Sequence, residues 1–345
     1  MALLNVTDVD RRFYEENLKD FLPHKILDCH THIWLKEFDH GEDTAHRSCL
    51  WPGMVAQENP IEDLVESYKL MFPDKEVIPC LFSNAKVTLN LEENNPYVRE
   101  KAAQYGYPAL YLAHPSEPAE QVERRVLEGG FRGLKVYLEY APSYIPNAEI
   151  RVFDFLTHEH LKVADKYGWA VMLHIPRPKR LADPVNYMQI MEIEEKYPNV
   201  KLIIPHLGRA YAPTDVGDAL DVLKHSKTTL WDFTANTCEE VMERVLETFG
   251  PDRFLFGSDL PIFRMKARRI VENGFYINLV PKGSLGDVST DPHMREVEGK
   301  EAEEISFFLY DELLSCKRAC EKLGLGKADV EKIFYSNAAR VYGVK

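Results

Sequence analysis

Short apolar segments alternate with longer amphipathic segments along most of the chain. Eight of the apolar segments have the length of a strand, and they cover residues 26–29, 77–82, 109–113, 133–138, 170–173, 201–205, 229–233 and 253–257. They are nearly continuous in hydrophobicity, which is typical of strands in a parallel sheet that is covered on both faces. The pattern therefore predicts eight buried parallel strands.

The segments between these strands have helical spacing and recognisable ends. One helix begins near Pro60 with acidic residues in its first turn, and others are predicted over residues 117–127, 153–167, 214–223, 238–249, 302–323 and 327–342. Residues 1–22 predict an amphipathic N-terminal helix. Repeated strand–helix alternation indicates the α/β class and a (β/α)8 TIM barrel, formed by a single domain over residues 1–345. An open doubly wound sheet is the alternative, although no Gly-x-Gly-x-x-Gly sequence follows the first strand.

Three connections are longer than is usual between such elements. They cover residues 33–59, 83–96 and about 260–300, and each follows the C-terminal end of a strand. A barrel builds its active site at that end, so these segments are expected to cover the site as lids. The alternative is that they are decoration or a contact between subunits.

Composition and charge narrow the functional classes. The 345 residues are 45% hydrophobic and carry a formal net charge of −13, which argues against a general nucleic-acid binder. No apolar run reaches the ~20 residues of a membrane helix, and six cysteines in a chain of this length do not indicate a disulfide framework. We therefore expect a cytoplasmic enzyme of a small-molecule substrate, with no nucleic-acid or membrane partner. A homodimer is compatible with this reading.

Polar side chains stand where several predicted strands end. His30 and His32 follow the first strand, and residues i and i+2 of a strand point to the same side. Equivalent positions on later strands carry further candidates, namely Lys135, His174, His206 and Asp259. In a closed barrel these strand ends share one rim, so the pattern predicts a metal site there.

At this point the chain resembles the amidohydrolase superfamily, and more closely its amidohydrolase-related branch of metal-dependent hydrolases and decarboxylases. The resemblance rests on the Asp28-x-His30-x-His32 start, the Gly-Leu-Lys strand that ends near Lys135, and the lone His174. It also rests on the Pro-His-Leu-Gly turn at residues 205–208, the Gly-Ser-Asp-x-Pro turn at residues 257–261 and the ending at residues 337–343.

The resemblance implies a role for each of these residues. It makes His30, His32, His174 and Asp259 the ligands of one divalent metal ion. Three imidazoles and a carboxylate favour Zn²⁺, with Mn²⁺, Fe²⁺ or Co²⁺ as alternatives. Asp259 would also accept a proton from the activated water, and His206 would polarise the substrate or shuttle protons.

Lys135 has two interpretations. Binuclear members of the superfamily carry a carboxylated lysine that bridges two metals at the end of strand four, so the resemblance permits a binuclear site. We favour one metal, with Lys135 as a cation that binds a substrate carboxylate or oxyanion. Arg177 is a second candidate for a substrate carboxylate, while Trp34 and Tyr137 are candidates to stack on a planar substrate.

Two reactions fit the same ligands. The leading expectation is hydrolysis of a C–O or C–N bond of a small, carboxylate-bearing substrate by metal-activated water. The alternative is non-oxidative decarboxylation of an aromatic or unsaturated acid, in which His206 would protonate the carbon that loses CO₂. A barrel that has lost its activity and serves only as a scaffold is a third possibility, and the retained ligand set argues against it.

Overall fold

The computed structural model describes residues 3–41 and 51–345, so residues 42–50 of the first long connection lie outside the described residues. Each of the eight predicted apolar segments contains a strand. In chain order these strands are β1 Lys25–His32, β2 Glu76–Phe82, β3 Tyr111–Leu112, β4 Gly133–Val136, β5 Ala170–Leu173, β6 Lys201–Ile204, β7 Leu230–Asp232 and β8 Phe254–Leu255. All neighbouring pairs among them are parallel.

The eight strands follow one another in chain order around the (β/α)8 barrel, as the sequence predicts. Strands β3 to β8 form one continuous sheet, and β1 pairs with β2 in a second sheet. Two seams separate these sheets, and each is crossed by a single parallel bridge, Leu81 to Ala109 on one side and Thr31 to Leu260 on the other. The regular ladder is therefore interrupted at both seams.

Close packing of the ladder requires glycine at the start of β4. Gly133 pairs with Ala170, and a Cβ at this position would lie 1.9 Å from the carbonyl oxygen of Ala170. No other residue type fits there without a shift of the backbone. This close approach sets the register that carries Lys135 to the end of β4.

The helices pack outside the strands. Their bounds are Asp8–Phe13, Trp51–Val55, Ile61–Met71, Leu91–Tyr105, Ala119–Gly129, His158–Tyr167, Pro184–Lys196, Ala219–Leu223, Glu239–Phe249, Lys300–Glu303, Phe308–Lys322, Lys327–Glu331 and Asn337–Tyr342, with π-helical turns at Tyr14–Leu18 and Lys332–Ser336. None of the helices among the described residues has the length and apolar character needed to cross a bilayer.

Several predicted helix bounds were wrong. The N-terminal helix begins only at Asp8, because the Thr7 side chain caps its first turn. The helix predicted from residue 153 begins at His158, where Thr157 caps it. The helix predicted over residues 214–223 is reduced to Ala219–Leu223, since Gly217 has a left-handed backbone with φ +51°.

The segment after β8 is folded rather than irregular. It contains β9 Arg268–Glu272, β10 Phe275–Pro281 and β11 Met294–Val297, in the order β11-β10-β9. We call this three-stranded sheet the insertion sheet. The turn that leads into it packs on the helix Phe308–Lys322, which follows β8 and which we call the last barrel helix; the rings of Phe263 and Phe308 stack there with centroids 4.2 Å apart. The expected lid is therefore a small sheet that is attached to the barrel wall.

Candidate metal centre

Two histidines and one aspartate converge at the C-terminal end of β1. The ligand atoms of His30, His32 and Asp259 all lie within 4.8 Å of one another. The Nε2 atoms of His30 and His32 are 3.6 Å and 3.3 Å from Oδ1 of Asp259. Two atoms that each lie ~2.1 Å from one tetrahedral ion are about 3.4 Å apart, so the observed spacing suits a shared metal ion.

Backbone contacts across the β8–β1 seam bring these three residues together. Asp28 is fully buried, and its Oδ1 accepts hydrogen bonds from the backbone N–H groups of His30 and Ser258 at 3.1 Å and 2.9 Å. A Cβ on Gly257 would lie 2.6 Å from the Cβ of His30, so glycine allows the two strands to approach. Asp259 then adopts a left-handed conformation with φ +54°, which turns the chain at the rim.

The second ring nitrogen of each imidazole fixes its orientation. Nδ1 of His30 lies 2.7 Å from Oδ2 of Asp232, and Nδ1 of His32 lies 3.0 Å from the carbonyl oxygen of Ser83. A carbonyl or carboxylate oxygen only accepts, so this network assigns the proton of each neutral ring to Nδ1. Both Nε2 atoms therefore present a lone pair toward Asp259.

This arrangement fits a cation. Two nitrogen lone pairs and an ionised carboxylate face one another, and none of the three atoms supplies a hydrogen between them. Such a set is mutually repulsive unless positive charge lies beside it; the ammonium of Lys135, 3.3 Å from Nε2 of His30, supplies part of this charge, and a bound cation would supply the rest. Imidazole and carboxylate donors are also the ligands that Zn²⁺, Mn²⁺ and related ions accept in proteins.

Burial and charge shift the pKa values of these groups in directions that suit ligation. Burial, assisted by the charge of Lys135, lowers the pKa of His30 well below its ordinary value. Burial alone would raise the pKa of Asp259, but the adjoining rings of His32, His30 and His206 favour its ionised form and hold the pKa well below its usual range. At neutral pH His30 is therefore neutral and Asp259 is ionised.

The other two predicted histidines lie beside this triad. The ring centroid of His206 is 5.1 Å from that of His30, and the ring of His174 is 5.2 Å from that of His206. Nδ1 of His206 donates to the carbonyl oxygen of Thr234 at 2.9 Å, which leaves its Nε2 available. Nδ1 of His174 is buried and has no hydrogen-bond partner among the described residues. His174 is outside the compact triad, and its role as the fourth ligand stays a prediction.

Lys135 lies directly beneath the triad. It is 1% exposed, its Nζ is 3.3 Å from Nε2 of His30, and the ammonium lies 4.9 Å from the centroid of the Phe82 ring. Burial lowers the pKa of Lys135 to about 8. Lys135 does not belong to the wall of the adjoining cavity, so it reaches the ligand set more directly than it reaches a substrate.

A cavity of about 230 Å³ opens above the triad. Its floor contains His30, His32, His206 and Asp259. Its walls combine the predicted aromatic residues with apolar and polar groups, namely Trp34, Tyr137, Ala85, Val87, Ile262, Asn84, Lys86 and Glu139. A mostly apolar cavity with a few polar groups at one end is typical of a site for a small organic molecule.

Arg177 lies away from this cavity. Its Nε donates to the carbonyl oxygen of Ile150 at 3.2 Å, and Nη2 donates to that of Glu149 at 3.3 Å. Nη1 lies 3.8 Å from a carboxylate oxygen of Asp183. These contacts give the guanidinium a structural role in the loops after β4 and β5, and the expectation that it binds substrate does not agree with its position.

Three contributors to the site were missed in the sequence. Asp232 and Ser83 orient the histidines, and Lys86 brings a positive charge to the cavity wall. The sequence contained a usable signal for Asp232, because this carboxylate ends an apolar strand in the same way as the strand-end residues that were predicted to form the site. Ser83 acts through its backbone carbonyl, for which the side chain gives no signal.

A scan against protein-family models matches residues 27–344 to a family described as amidohydrolase. A comparison with curated proteins finds no match. Solved structures that resemble this chain include an amidohydrolase from Burkholderia multivorans, with 14% sequence identity, 93% of this chain and 99% of that chain covered and a TM-score of 0.57.

Two further structures are similar at 14% identity. One is a probable 2-pyrone-4,6-dicarboxylic acid hydrolase from Acinetobacter baumannii, with 92% of this chain and 99% of that chain covered and a TM-score of 0.55. The other is a dihydroxybenzoic acid decarboxylase from Polaromonas sp. JS666 with bound manganese, with 93% and 98% covered and a TM-score of 0.53. At this level of identity the likeness establishes the shared fold.

Proposed function

The chain belongs to the amidohydrolase family, and from this premise we propose that it is a metal-dependent hydrolase of a C–O or C–N bond in a small, carboxylate-bearing substrate. The observation that carries the proposal is the convergence of His30, His32 and Asp259 at the floor of the cavity. A divalent cation held by these residues would supply Lewis-acid polarisation and lower the pKa of water toward ~7.

The residues around the triad have complementary roles in the proposal. Asp259 is ionised and faces the cavity, so it can accept a proton from the attacking water. His206 presents Nε2 with its lone pair to the same cavity, and it can pass that proton to the leaving group. Trp34 and Tyr137 would hold the substrate between their rings, which restricts its orientation.

The carboxylate of the substrate would be held at the cavity wall rather than at its floor. Lys86 lines the cavity and is ion-paired with Asp39, so its charge is already positioned there. Lys135 adds positive charge from beneath His30. The two lysines would favour an anionic substrate locally, although the chain carries a net charge of −13.

Decarboxylation of an aromatic acid is the second candidate. It is supported by the aromatic walls of the cavity and by the likeness to a decarboxylase whose structure contains manganese. In that reaction His206, after taking up a proton from water at Nε2, would deliver it to the ring carbon as CO₂ leaves. The probable 2-pyrone-4,6-dicarboxylic acid hydrolase among the similar structures supports the first candidate in the same way.

The first experiment measures bound metal. We expect one divalent ion per chain by elemental analysis, and loss of that ion in His32→Gln and Asp259→Asn. His40→Gln is a matched control, because His40 is exposed and pairs with Glu93 outside the triad. Retention of metal by both triad variants would refute the site. Two ions per chain, with a mass increase of one carboxyl group on Lys135, would replace the mononuclear proposal by the binuclear one.

The second experiment separates the two reactions. The metal-loaded protein is incubated in ¹⁸O-labelled water with a panel of lactones, esters and amides of carboxylic acids, and with a panel of hydroxybenzoic acids. Hydrolysis predicts ¹⁸O in the acid product and no CO₂. Release of CO₂ without ¹⁸O incorporation would contradict the hydrolase proposal and support decarboxylation.

A further inference from the structure

We propose that Arg269 and Glu312, which lie outside the barrel strands, are positioning residues that hold His206 in the tautomer needed at the candidate site. The proposal concerns the peptide of Ala235, at the turn that follows β7. It rests on the proposed function only in giving His206 a role in proton transfer.

The peptide groups of Ala235 are held from two sides. Its N–H donates to Oε2 of Glu312, in the last barrel helix, at 2.7 Å. Its carbonyl oxygen accepts from Nη1 of Arg269, in β9 of the insertion sheet, at 2.6 Å. Glu312 is 0% exposed and Arg269 is 9% exposed, so both hydrogen bonds are shielded from water.

The turn needs such support because its backbone is strained. Ala235 has φ +58°, a left-handed conformation that is unfavourable for a residue with a Cβ. Arg269 is itself fixed, since its Nε donates to Oδ1 of Asn278 at 2.8 Å and its guanidinium packs against the rings of Tyr211 and Tyr276, 4.8 Å and 4.6 Å from their centroids. The left-handed conformation is therefore imposed by groups that cannot easily move away.

The conformation of Ala235 determines where the preceding carbonyl points. The carbonyl oxygen of Thr234 accepts the hydrogen bond from Nδ1 of His206 at 2.9 Å. That hydrogen bond retains the proton on Nδ1 and leaves the lone pair of Nε2 facing the cavity. If the turn relaxes, the acceptor for Nδ1 is displaced and both tautomers of His206 become accessible.

The test observes the tautomer of His206 directly by two-bond ¹H–¹⁵N correlation spectra of metal-free protein labelled with ¹⁵N-histidine. The signal of His206 is identified by its loss in His206→Gln. We expect the wild-type ring to be in the Nδ1–H form. Arg269→Met and Glu312→Leu should replace this signal by the average of two tautomers, whereas Glu312→Gln, which retains an oxygen acceptor, should keep it.

A matched control and a rescue variant separate positioning from general packing. Arg268→Met changes the neighbouring residue of β9, whose guanidinium donates to the carbonyl oxygen of Glu304, and it should leave the tautomer unchanged. Ala235→Gly in the Arg269→Met background should restore the wild-type signal, because glycine adopts positive φ at little cost.

The proposal is overturned if folded Arg269→Met retains the wild-type tautomer, or if Arg268→Met disturbs it equally. Should Glu312→Leu fail to fold, the Arg269 variants and the glycine rescue still decide the question. The measurement uses neither metal nor substrate, so failure of the proposed function would be visible separately, in the metal content and the product assays.

Discussion

At the scale of single residues, the site depends on the hydrogen bond that each imidazole makes through the ring nitrogen that faces away from the cavity. Nδ1 of His30 is hydrogen-bonded to a carboxylate. Nδ1 of His32 and Nδ1 of His206 are each hydrogen-bonded to a backbone carbonyl oxygen. The carboxylate of Asp232 is fully buried, and burial raises its pKa to about 6. Its charge therefore interacts strongly with the ring of His30.

Asp232→Asn should weaken metal binding without unfolding the chain. An amide oxygen can still accept from Nδ1 of His30, but it lacks the charge that strengthens the imidazole as a ligand. We expect metal affinity to fall roughly 10–100-fold, measured by competition with a chromogenic chelator. Asp221→Asn, at an exposed site beside Lys224, is the control. An unchanged affinity in Asp232→Asn would show that His30 needs no such partner.

Residue identity made part of the site predictable. His30, His32 and Asp259 were predicted together because strand-end polar residues of a barrel share one rim, and the structure brings them within ligand distance. Arg177 was selected from its sequence position after His174, but a guanidinium can reach neighbouring carbonyls in many directions. Its direction depends on the loops after β4 and β5, which the local sequence does not determine.

At the scale of elements, one carboxylate joins the helix Pro184–Lys196 to the start of β7. Glu194 accepts hydrogen bonds from the Ser226 hydroxyl, from the backbone N–H groups of Lys227 and Thr228, and from both the N–H and hydroxyl of Thr229. Burial alone would raise the pKa of Glu194, but these donors lower it on balance to about 2. The ionised carboxylate therefore stabilises the connection between the two elements.

Glu194→Gln should destabilise the fold by about 1–2 kcal/mol at pH 7. The pKa of Glu194 is lower in the folded state than the ordinary value of 4.5, so its contribution is complete above pH 4.5 and is lost as the pH falls toward about 2. Urea unfolding at several pH values should show the difference from wild type closing over that range. Glu192→Gln, in a surface pair with Lys196, should show no such convergence; a constant gap for Glu194→Gln would contradict the account.

The strands were more predictable than the connections between them. A strand buried on both faces requires a nearly continuous apolar segment, so each of the eight left a local signal. The helix Leu91–Tyr105 begins within residues 83–96, which were assigned to a long connection. Its hydrophobic pattern is weak, because the polar residues Asn94 and Asn95 are among those that it buries. The insertion sheet was missed because its strands are half-exposed and pair mainly with one another.

At the scale of the whole molecule, the N-terminal helix is fastened to the segment that follows β8. Asp10 is fully buried, and it accepts hydrogen bonds from the Ser306 hydroxyl at 2.9 Å and from the backbone N–H of Thr7 at 2.7 Å. It also forms an ion pair with Lys266, whose ammonium lies over the ring of Phe307. These contacts join the helix that precedes β1 to the segment that follows β8.

Asp10→Asn should loosen this junction. It removes the charge opposite a largely buried ammonium, and we expect a loss of about 1–3 kcal/mol in the free energy of unfolding, seen as a lower urea midpoint. Asp8→Asn is the matched control, because Asp8 is on the same helix and its side chain is fully exposed; its substitution should leave the urea midpoint essentially unchanged. Equal effects of the two substitutions would indicate that the buried ion pair contributes little.

The three residues of the metal triad lie on both sides of the seam between β8 and β1. His30 and His32 belong to one side of that seam and Asp259 to the other, while the ladder between them narrows to one bridge and a few backbone hydrogen bonds. A cation shared by the three side chains would link the two strand ends across this seam. Binding of the ion would then also strengthen the junction between β8 and β1, so that metal loading and the stability of the barrel would be coupled.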